Sequence, residues 1–119
     1  GGKVLNEIDV NFENALTTVQ EIIKSRVMAE VEAYNNRMPE YYRGLVQPTD
    51  AEATLNGFKL KERKKLDAEK QVFTALHAFT KNGFFVLIDN KQAESLDQMV
   101  VINTVTSISF VKLTPLVGG

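Results

Sequence analysis

A run of five apolar residues, Phe84–Ile88, constrains the fold more than any other feature of this sequence. Gly83 precedes the run and Asp89-Asn90 follow it, and residues of these types favour turns. A short continuous apolar run between turn residues is typical of a strand that is covered on both faces or by one helix. The sequence therefore predicts a sheet with this strand at its centre.

Further elements are predicted on both sides of this strand. Met99–Ile102 and Ile108–Leu113 follow it as two more strands, the second with alternating apolar and polar residues at its start. Asp67 is a suitable N-cap for a preceding helix, and an apolar stripe then leads to a glycine C-cap at Gly83. The stripe consists of Val72, Phe73, Leu76 and Phe79.

A hairpin is predicted before that helix. Asn56-Gly57 separates two short extended stretches, and both residues tolerate the positive φ of a type I′ turn. The predicted order is thus hairpin, helix and three strands. A mixed sheet with the helix across one face satisfies this order, with the final strand running centrally beside the first. The predicted fold class is therefore α+β, with the β-grasp as its architecture.

The first 50 residues are predicted to precede this domain as an extension. Apolar residues recur there at spacings of three and four, and residues 3–36 contain neither glycine nor proline, so they predict one long helix. The charged residues between them, Arg26 and Glu30 included, are expected on its solvated face. The stripe is expected to pack on the sheet or on a second copy in a homo-oligomer. It consists of Leu5, Ile8, Phe12, Leu16, Val19, Ile23, Val27 and Val31.

Residues 37–50 contain Pro39, Gly44 and Pro48 and predict a turn-rich connector. We therefore divide the chain into 1–50, a helical extension with its connector, and 51–119, the β-grasp domain. The alternative fold is a cystatin-like arrangement, in which the first helix lies across an antiparallel sheet. In that arrangement the stripe of the second helix would need another surface to cover it.

Composition excludes several classes of function. The net charge of −1 argues against nucleic-acid binding, and the absence of cysteine excludes disulfides, thiolate metal sites and a cysteine nucleophile. One histidine, His77, is too few for a multi-histidine zinc site. No apolar run reaches the roughly 18 residues of a membrane helix, so we expect a cytoplasmic protein without membrane contact. Gly1-Gly2 is interpreted as a cloning remnant or as the diglycine left by an upstream copy.

The last third of the chain resembles a known family. The stretch is VLIDNKQAESLDQMVVINTVTSISFVKLTPLVGG, with Asp89-Asn90 at a turn and a proline-containing tail that ends in Gly118-Gly119. It is similar to the ends of the small molybdopterin-synthase subunit and the thiamine-pathway sulfur carrier, and more loosely to the end of ubiquitin. Asn103–Thr106 replaces the usual Gly-Asp pair of that family, and the resemblance does not cover residues 1–50.

This resemblance implies that the carboxylate of Gly119 is the working group. A partner activating enzyme would adenylate it with ATP and magnesium, so the chain itself would hold neither a cofactor nor a metal and would not be an enzyme. The product would be a thiocarboxylate that donates sulfur, or a thioester passed by a conjugating enzyme to a lysine. Gly118 and Gly119 have no Cβ to obstruct a narrow channel, and Pro115 restricts the tail. Leu113, Leu116 and Val117 would dock on the partner.

Two alternatives remain open at the level of the sequence. The N-terminal extension slightly favours a modifier, for example in a specialised bacterial conjugation pathway, over a minimal sulfur donor. The domain could instead be a binding module that never uses Gly119, and the basic run from Lys59 to Lys65 could attract an acidic partner or simply be a solvated edge. Independent catalysis is disfavoured because Glu94 and Asp97 lie in a predicted solvated loop and no phosphate loop is present.

Overall fold

The computed structural model describes residues 2–4 and 16–113. In these ranges two helices combine with eight short strands, which confirms the α+β class. The elements are β1 (Gly2–Val4), β2 (Leu16–Thr18), α1 (Val19–Arg37), β3 (Ala51–Thr54), β4 (Gly57–Leu60), α2 (Ala68–Thr80), β5 (Phe84–Ile88), β6 (Lys91–Gln92), β7 (Met99–Val101) and β8 (Ile108–Leu113). No helix within the described ranges is long and apolar enough to cross a membrane.

Helix α1 begins sixteen residues later than the apolar spacing predicts, at Val19, and the described residues before it are strands. Thr18 is the N-cap: its backbone is extended, with φ −123° and ψ 161°, and its hydroxyl accepts a hydrogen bond from the Glu21 N–H at 3.2 Å. A threonine followed three residues later by glutamate is a capping signal that the periodicity obscured. The predicted stripe residues Leu5, Ile8 and Phe12 lie outside the described residues.

Helix α2 is capped as predicted but turned from the predicted orientation. The Asp67 carboxylate accepts from the Lys70 N–H at 3.1 Å. Gln71, Ala75 and Phe79 form the buried face, with Val72 and Leu76 half-buried, whereas Phe73 is 74% exposed. At the other end Asn82, with φ 60°, and not Gly83, takes the left-handed conformation after the helix.

Both predicted turns are present, although one is shifted. The β3–β4 hairpin closes through Leu55-Asn56, neither of which has a positive φ, and Gly57 follows with φ 127°. The predicted turn is therefore wrong by one position and in type, because a type I′ turn requires a positive φ at both central residues. Between β5 and β6, Asp89 and Asn90 have φ of 49° and 66°, which is the pattern of a two-residue type I′ turn.

The main sheet has the order β1-β8-β5-β6, and the last strand is central, as predicted. Its outer neighbour is β1, however, and both of its pairings are antiparallel. Strands β3 and β4 pair with each other, as do β2 and β7. Among the described residues no parallel pair occurs, so the mixed sheet expected of a β-grasp is absent there.

One hydrophobic cluster joins the parts of the chain on both sides of residue 50. Val19, Ile23, Val27 and Val31 of the predicted stripe are buried in it, so the chain's own core covers that face of α1. Tyr42, Leu45 and Val46 from the connector belong to the same cluster. The division at residue 50 remains an interpretation of the sequence.

Helix α1 also reaches the main sheet, because the Arg26 guanidinium lies 5.1 Å from the centre of the Phe110 ring in β8. Helix α2 packs mainly against α1. To this extent the arrangement agrees with the alternative in which the first helix meets an antiparallel sheet. The buried face of α2 then finds its cover on α1.

The observed orientation of α2 can be tested with two identical substitutions in the same helix. Phe79 is 8% exposed and contacts Phe84, whereas Phe73 is 74% exposed. We expect Phe79→Ala to lower the free energy of unfolding by about 3 kcal/mol, because it leaves a cavity in the core. Phe73→Ala should change it by less than about 0.5 kcal/mol. Urea unfolding measures both, and equal losses would contradict this orientation.

Candidate functional site at the end of the last strand

The structure places the base of the predicted reactive tail at the end of β8. Leu113 is the last residue of that strand, is 49% exposed and lies opposite Gly2 of β1. Pro115, Leu116, Val117, Gly118 and Gly119 lie outside the described residues. The site can therefore be built from the strand that leads into the tail and from the groups that hold this strand.

The beginning of β8 is fixed by backbone hydrogen bonds. Five of its residues pair with β5, from Ile88 opposite Ile108 to Phe84 opposite Lys112. Asp89 extends this pairing, because its N–H donates to the Ser107 carbonyl at 2.8 Å and its carboxylate accepts from the Ser107 N–H at 2.9 Å. The strand thus enters the sheet with a defined register, which side-chain contacts preserve towards its other end.

Two cations contact aromatic rings at this other end. The Arg26 guanidinium lies over Phe110, and the Lys112 ammonium lies 4.2 Å from the centre of the Phe58 ring in β4. Phe110 and Lys112 point to the same face of β8, because side chains alternate along a strand. Cation–π contacts are attractive and stronger where water is excluded. They link β8 to α1 and to the β3–β4 hairpin.

A buried ion pair lies beneath these contacts. Arg26 Nε donates to Glu30 Oε2 at 3.1 Å, one helical turn along α1, and both side chains are at most 5% exposed. The other carboxylate oxygen of Glu30 accepts from the Leu45 N–H at 3.0 Å. Arg26 and Glu30 were expected on the solvated face of the helix, and that expectation is wrong. The pair connects α1, the connector and, through Phe110, the last strand.

Burial shifts the charges of this group. The pKa of Glu30 is raised above its ordinary value, chiefly because burial penalises the carboxylate, although the Leu45 N–H and Arg26 oppose the shift. The pKa of Lys112 is lowered, again chiefly by burial, and the negative charge of Glu30 opposes this shift. The charges of Glu30 and Lys112 thus partly compensate each other. We call Arg26, Glu30, Tyr42 and Lys112 the Glu30 cluster.

Tyr42 belongs to the cluster through its position beside Glu30. Its ring packs edge-on against Tyr34 at 5.5 Å between ring centres and lies 6.4 Å from Phe58. Its hydroxyl is buried without a hydrogen-bond partner among the described residues. Burial, and then Glu30, raise the pKa of Tyr42. Gly44 is required here, since a Cβ at that position would overlap the Tyr42 ring.

The other titratable residues considered from the sequence, His77, Glu94 and Asp97, are not members of the Glu30 cluster. His77 is exposed on α2, Glu94 is exposed, and Asp97 accepts a hydrogen bond from the Ser95 hydroxyl at 2.7 Å. Within residues 2–4 and 16–113 no group of three or more His, Cys, Asp or Glu side chains could hold a metal ion. The observed contacts position β8, and through β8 the base of the tail.

Comparison with known protein families, curated proteins and solved structures found no match to this chain. The residues of the Glu30 cluster were not among the predicted site residues. Their only signal is the i, i+4 spacing of Arg26 and Glu30, which places both beside Ile23, Val27 and Val31 on the helix surface. The sequence does not reveal that the connector closes over them.

The ion pair can be tested through the pH dependence of stability. Arg26→Met leaves the Glu30 carboxylate buried without its cation, so we expect a loss of about 3 kcal/mol at neutral pH. A raised pKa of the Glu30 carboxyl means that the folded state binds the proton more tightly than the unfolded state does. The contribution of Glu30 to the free energy of unfolding therefore falls as the pH rises above 4.5. Removing Arg26 raises that pKa further, and the loss should therefore shrink below pH 4.5.

Urea unfolding of the wild type and the variant across this range measures the effect. Lys24→Met is the matched control, since Lys24 lies on the exposed side of the same helix. It should leave stability nearly unchanged at every pH. A loss for Arg26→Met that does not depend on pH would show that Arg26 contributes by packing and not by compensating Glu30.

Proposed function

We propose that this chain is an acyl or sulfur carrier of the ubiquitin-like kind, and that the carboxylate of Gly119 is its reacting group. One observation carries the proposal: β8 is the central strand of the main sheet and continues in sequence, from Leu113, into Thr114–Gly119. A tail that starts from a strand fixed on both sides has a well-defined origin. Such an origin suits a terminus that must enter another protein.

The chemistry follows from the low reactivity of a carboxylate. Its carbon becomes electrophilic when a partner enzyme transfers AMP to it from magnesium-bound ATP and releases pyrophosphate. A sulfur nucleophile then attacks the acyl-adenylate and expels AMP. If the sulfur is transferred, the product is a thiocarboxylate; if it belongs to an enzyme thiol, the thioester can pass to a lysine amine. Gly118 and Gly119 offer the least steric obstruction to each attack.

The proposed architecture is a β-grasp in which β1 occupies the place beside the last strand. The order β8-β5-β6 supports this assignment, whereas the β3–β4 hairpin forms a sheet of its own and does not join the main sheet. The antiparallel pairing of β1 with β8 departs from the expected mixed sheet. The proposal therefore rests on the tail more than on the sheet. The proposed partners are an activating enzyme and, in the modifier branch, a conjugating enzyme with lysine targets, all in the cytoplasm.

The proposal is tested by the mass of the full chain after incubation with a candidate activating enzyme, ATP, magnesium and a sulfur donor. Deleting Gly119 should abolish modification, because the shortened chain presents Gly118 at the wrong distance along the tail. Leu113→Ala is the control for the tail's base and should weaken the reaction without abolishing it. Intact-mass spectrometry distinguishes the exchange of one oxygen for sulfur from an isopeptide bond to lysine.

An unchanged mass for the wild type with every candidate activating enzyme tested would overturn the carrier function. Equal modification of the wild type and the Gly119-deleted chain would also overturn it, because the reacting group would then lie elsewhere. A stable thioester with a partner thiol would select the modifier branch. A thiocarboxylate released as free protein would select sulfur transfer.

A second function, that of a binding module which does not use Gly119, is favoured by one specific observation. Strands β2 and β7 pair Leu16 with Val101 and Thr18 with Met99, so these side chains share one face of the two-stranded ribbon. Leu16, Met99 and Val101 are all exposed there. A contiguous exposed apolar face is typical of an interaction surface. Binding that survives deletion of Gly119 would support this function.

A further inference from the structure

A cleft of about 420 Å³ lies between the C-terminal half of α1 and the connector. Its walls include Tyr34, Tyr41, Tyr42 and Pro39, and Arg37 and Arg43 also line it. Tyr34 and Tyr42 are buried core residues in contact with each other, so this part of the wall is already fixed before any ligand arrives. A preformed aromatic wall reduces the entropy lost on binding.

The charges of the cleft are not balanced. Of the two acidic residues that line it, Glu30 is paired with Arg26, and Glu40 lies 3.7 Å from the Lys59 ammonium. Neither Arg37 nor Arg43 has a carboxylate partner within the part of the chain that the structure describes. Arg43 Nε donates to the Asn56 carbonyl, which leaves the terminal amino groups of its guanidinium for other acceptors. The cleft therefore offers two guanidinium groups to an anion.

Two further cations lie beside residues at the edge of the cleft. Lys59 reaches its edge through Glu40, and Arg63 donates to the Met38 carbonyl at 2.5 Å, next to the lining residue Pro39. Lys64 and Lys65 follow Arg63 in the chain and are exposed. This basic surface exists although the whole chain has a net charge of −1. Local charge of one sign beside an apolar wall selects ligands that carry the opposite charge and an apolar group.

We propose that this cleft binds an acidic peptide segment of a partner protein, with an aromatic or apolar side chain against the tyrosines and carboxylates on Arg37 and Arg43. The two guanidinium groups come from different segments, the end of α1 and the connector, which fits charges spread along a chain better than a single small anion. Planar guanidinium groups pair with carboxylates through two parallel hydrogen bonds. This binding does not require Gly119 and goes beyond the proposed carrier function.

The test uses the full chain and a short fluorescein-labelled peptide of alternating glutamate and phenylalanine. Binding is followed by fluorescence anisotropy at low and at physiological salt, with the corresponding lysine–phenylalanine peptide as the ligand control. The double variant Arg37→Gln/Arg43→Gln should bind the acidic peptide about tenfold more weakly, since two partly exposed charge contacts are lost. Higher salt should weaken binding by the wild type more than by this variant.

Lys81→Gln/Lys91→Gln is the matched control, because it removes the same charge at exposed positions that do not line the cleft. It should bind like the wild type. The double variant also loses the hydrogen bond from Arg43 to the Asn56 carbonyl, which could disturb the hairpin. The single variant Arg37→Gln keeps that hydrogen bond and should still weaken binding about threefold. Deleting Gly119 should leave binding unchanged, so a failed carrier assay and a failed peptide assay remain distinguishable.

Any of four results would overturn the proposal. The first is that the wild type fails to bind the acidic peptide, and the second is that it binds the lysine peptide equally well. The third is that the cleft variant and the control variant lose the same affinity, which would indicate general charge attraction. The fourth is that a single-stranded oligonucleotide of matched charge binds more tightly than the acidic peptide, with the same dependence on Arg37 and Arg43. That result would assign the cleft to nucleic acid.

Discussion

The buried pair of Arg26 and Glu30 is the contact on which the arrangement of this chain depends. Both residues lie on α1, but each also contacts another segment. The Leu45 N–H of the connector donates to the Glu30 carboxylate, and the Arg26 guanidinium lies over the Phe110 ring of β8. Replacing only one member would leave a charge in a site that excludes water, which costs far more than the pair contributes. The helix, the connector and the last strand are therefore fixed relative to one another by a group that tolerates few partial changes.

The raised pKa of Glu30 shows that burial outweighs the compensation from Arg26 and Leu45. The ion pair is thus better understood as a determinant of specificity than as a source of stability, because an apolar pair of similar volume would avoid the desolvation cost. Apolar residues would, however, accept many packing arrangements. The fixed geometry of a carboxylate between a guanidinium and a backbone N–H accepts few, and this restriction sets where the connector crosses α1.

Local signals in the sequence predicted local structure well. The Asp67 cap, the Asp89-Asn90 turn and the central strand at Phe84–Ile88 are all confirmed, since each depends on a few neighbouring residues. The start of α1 was missed because apolar spacing alone continues through Leu16 and Val19, although the first is exposed in β2 and the second is buried in the helix. Partner choice was also missed: β1 pairs with β8, and this long-range contact leaves no local pattern. The role proposed for Gly119 comes from the tail sequence, and the central position of β8 supports it by giving that tail a fixed origin.

The two proposed surfaces are connected through two contacts, one between a cation and an aromatic ring and one between two aromatic rings. Lys112, next to the base of the tail, lies 4.2 Å from the Phe58 ring, and that ring lies 6.4 Å from Tyr42, which lines the cleft. Six residues after Leu113 can span at most about 20 Å. A partner that held an acidic segment in the cleft would therefore meet the tail only if its own reactive site lay within that reach of β8. Binding at the cleft would then raise the local concentration of the tail at that site, which links the affinity of one surface to the rate of reaction at the other.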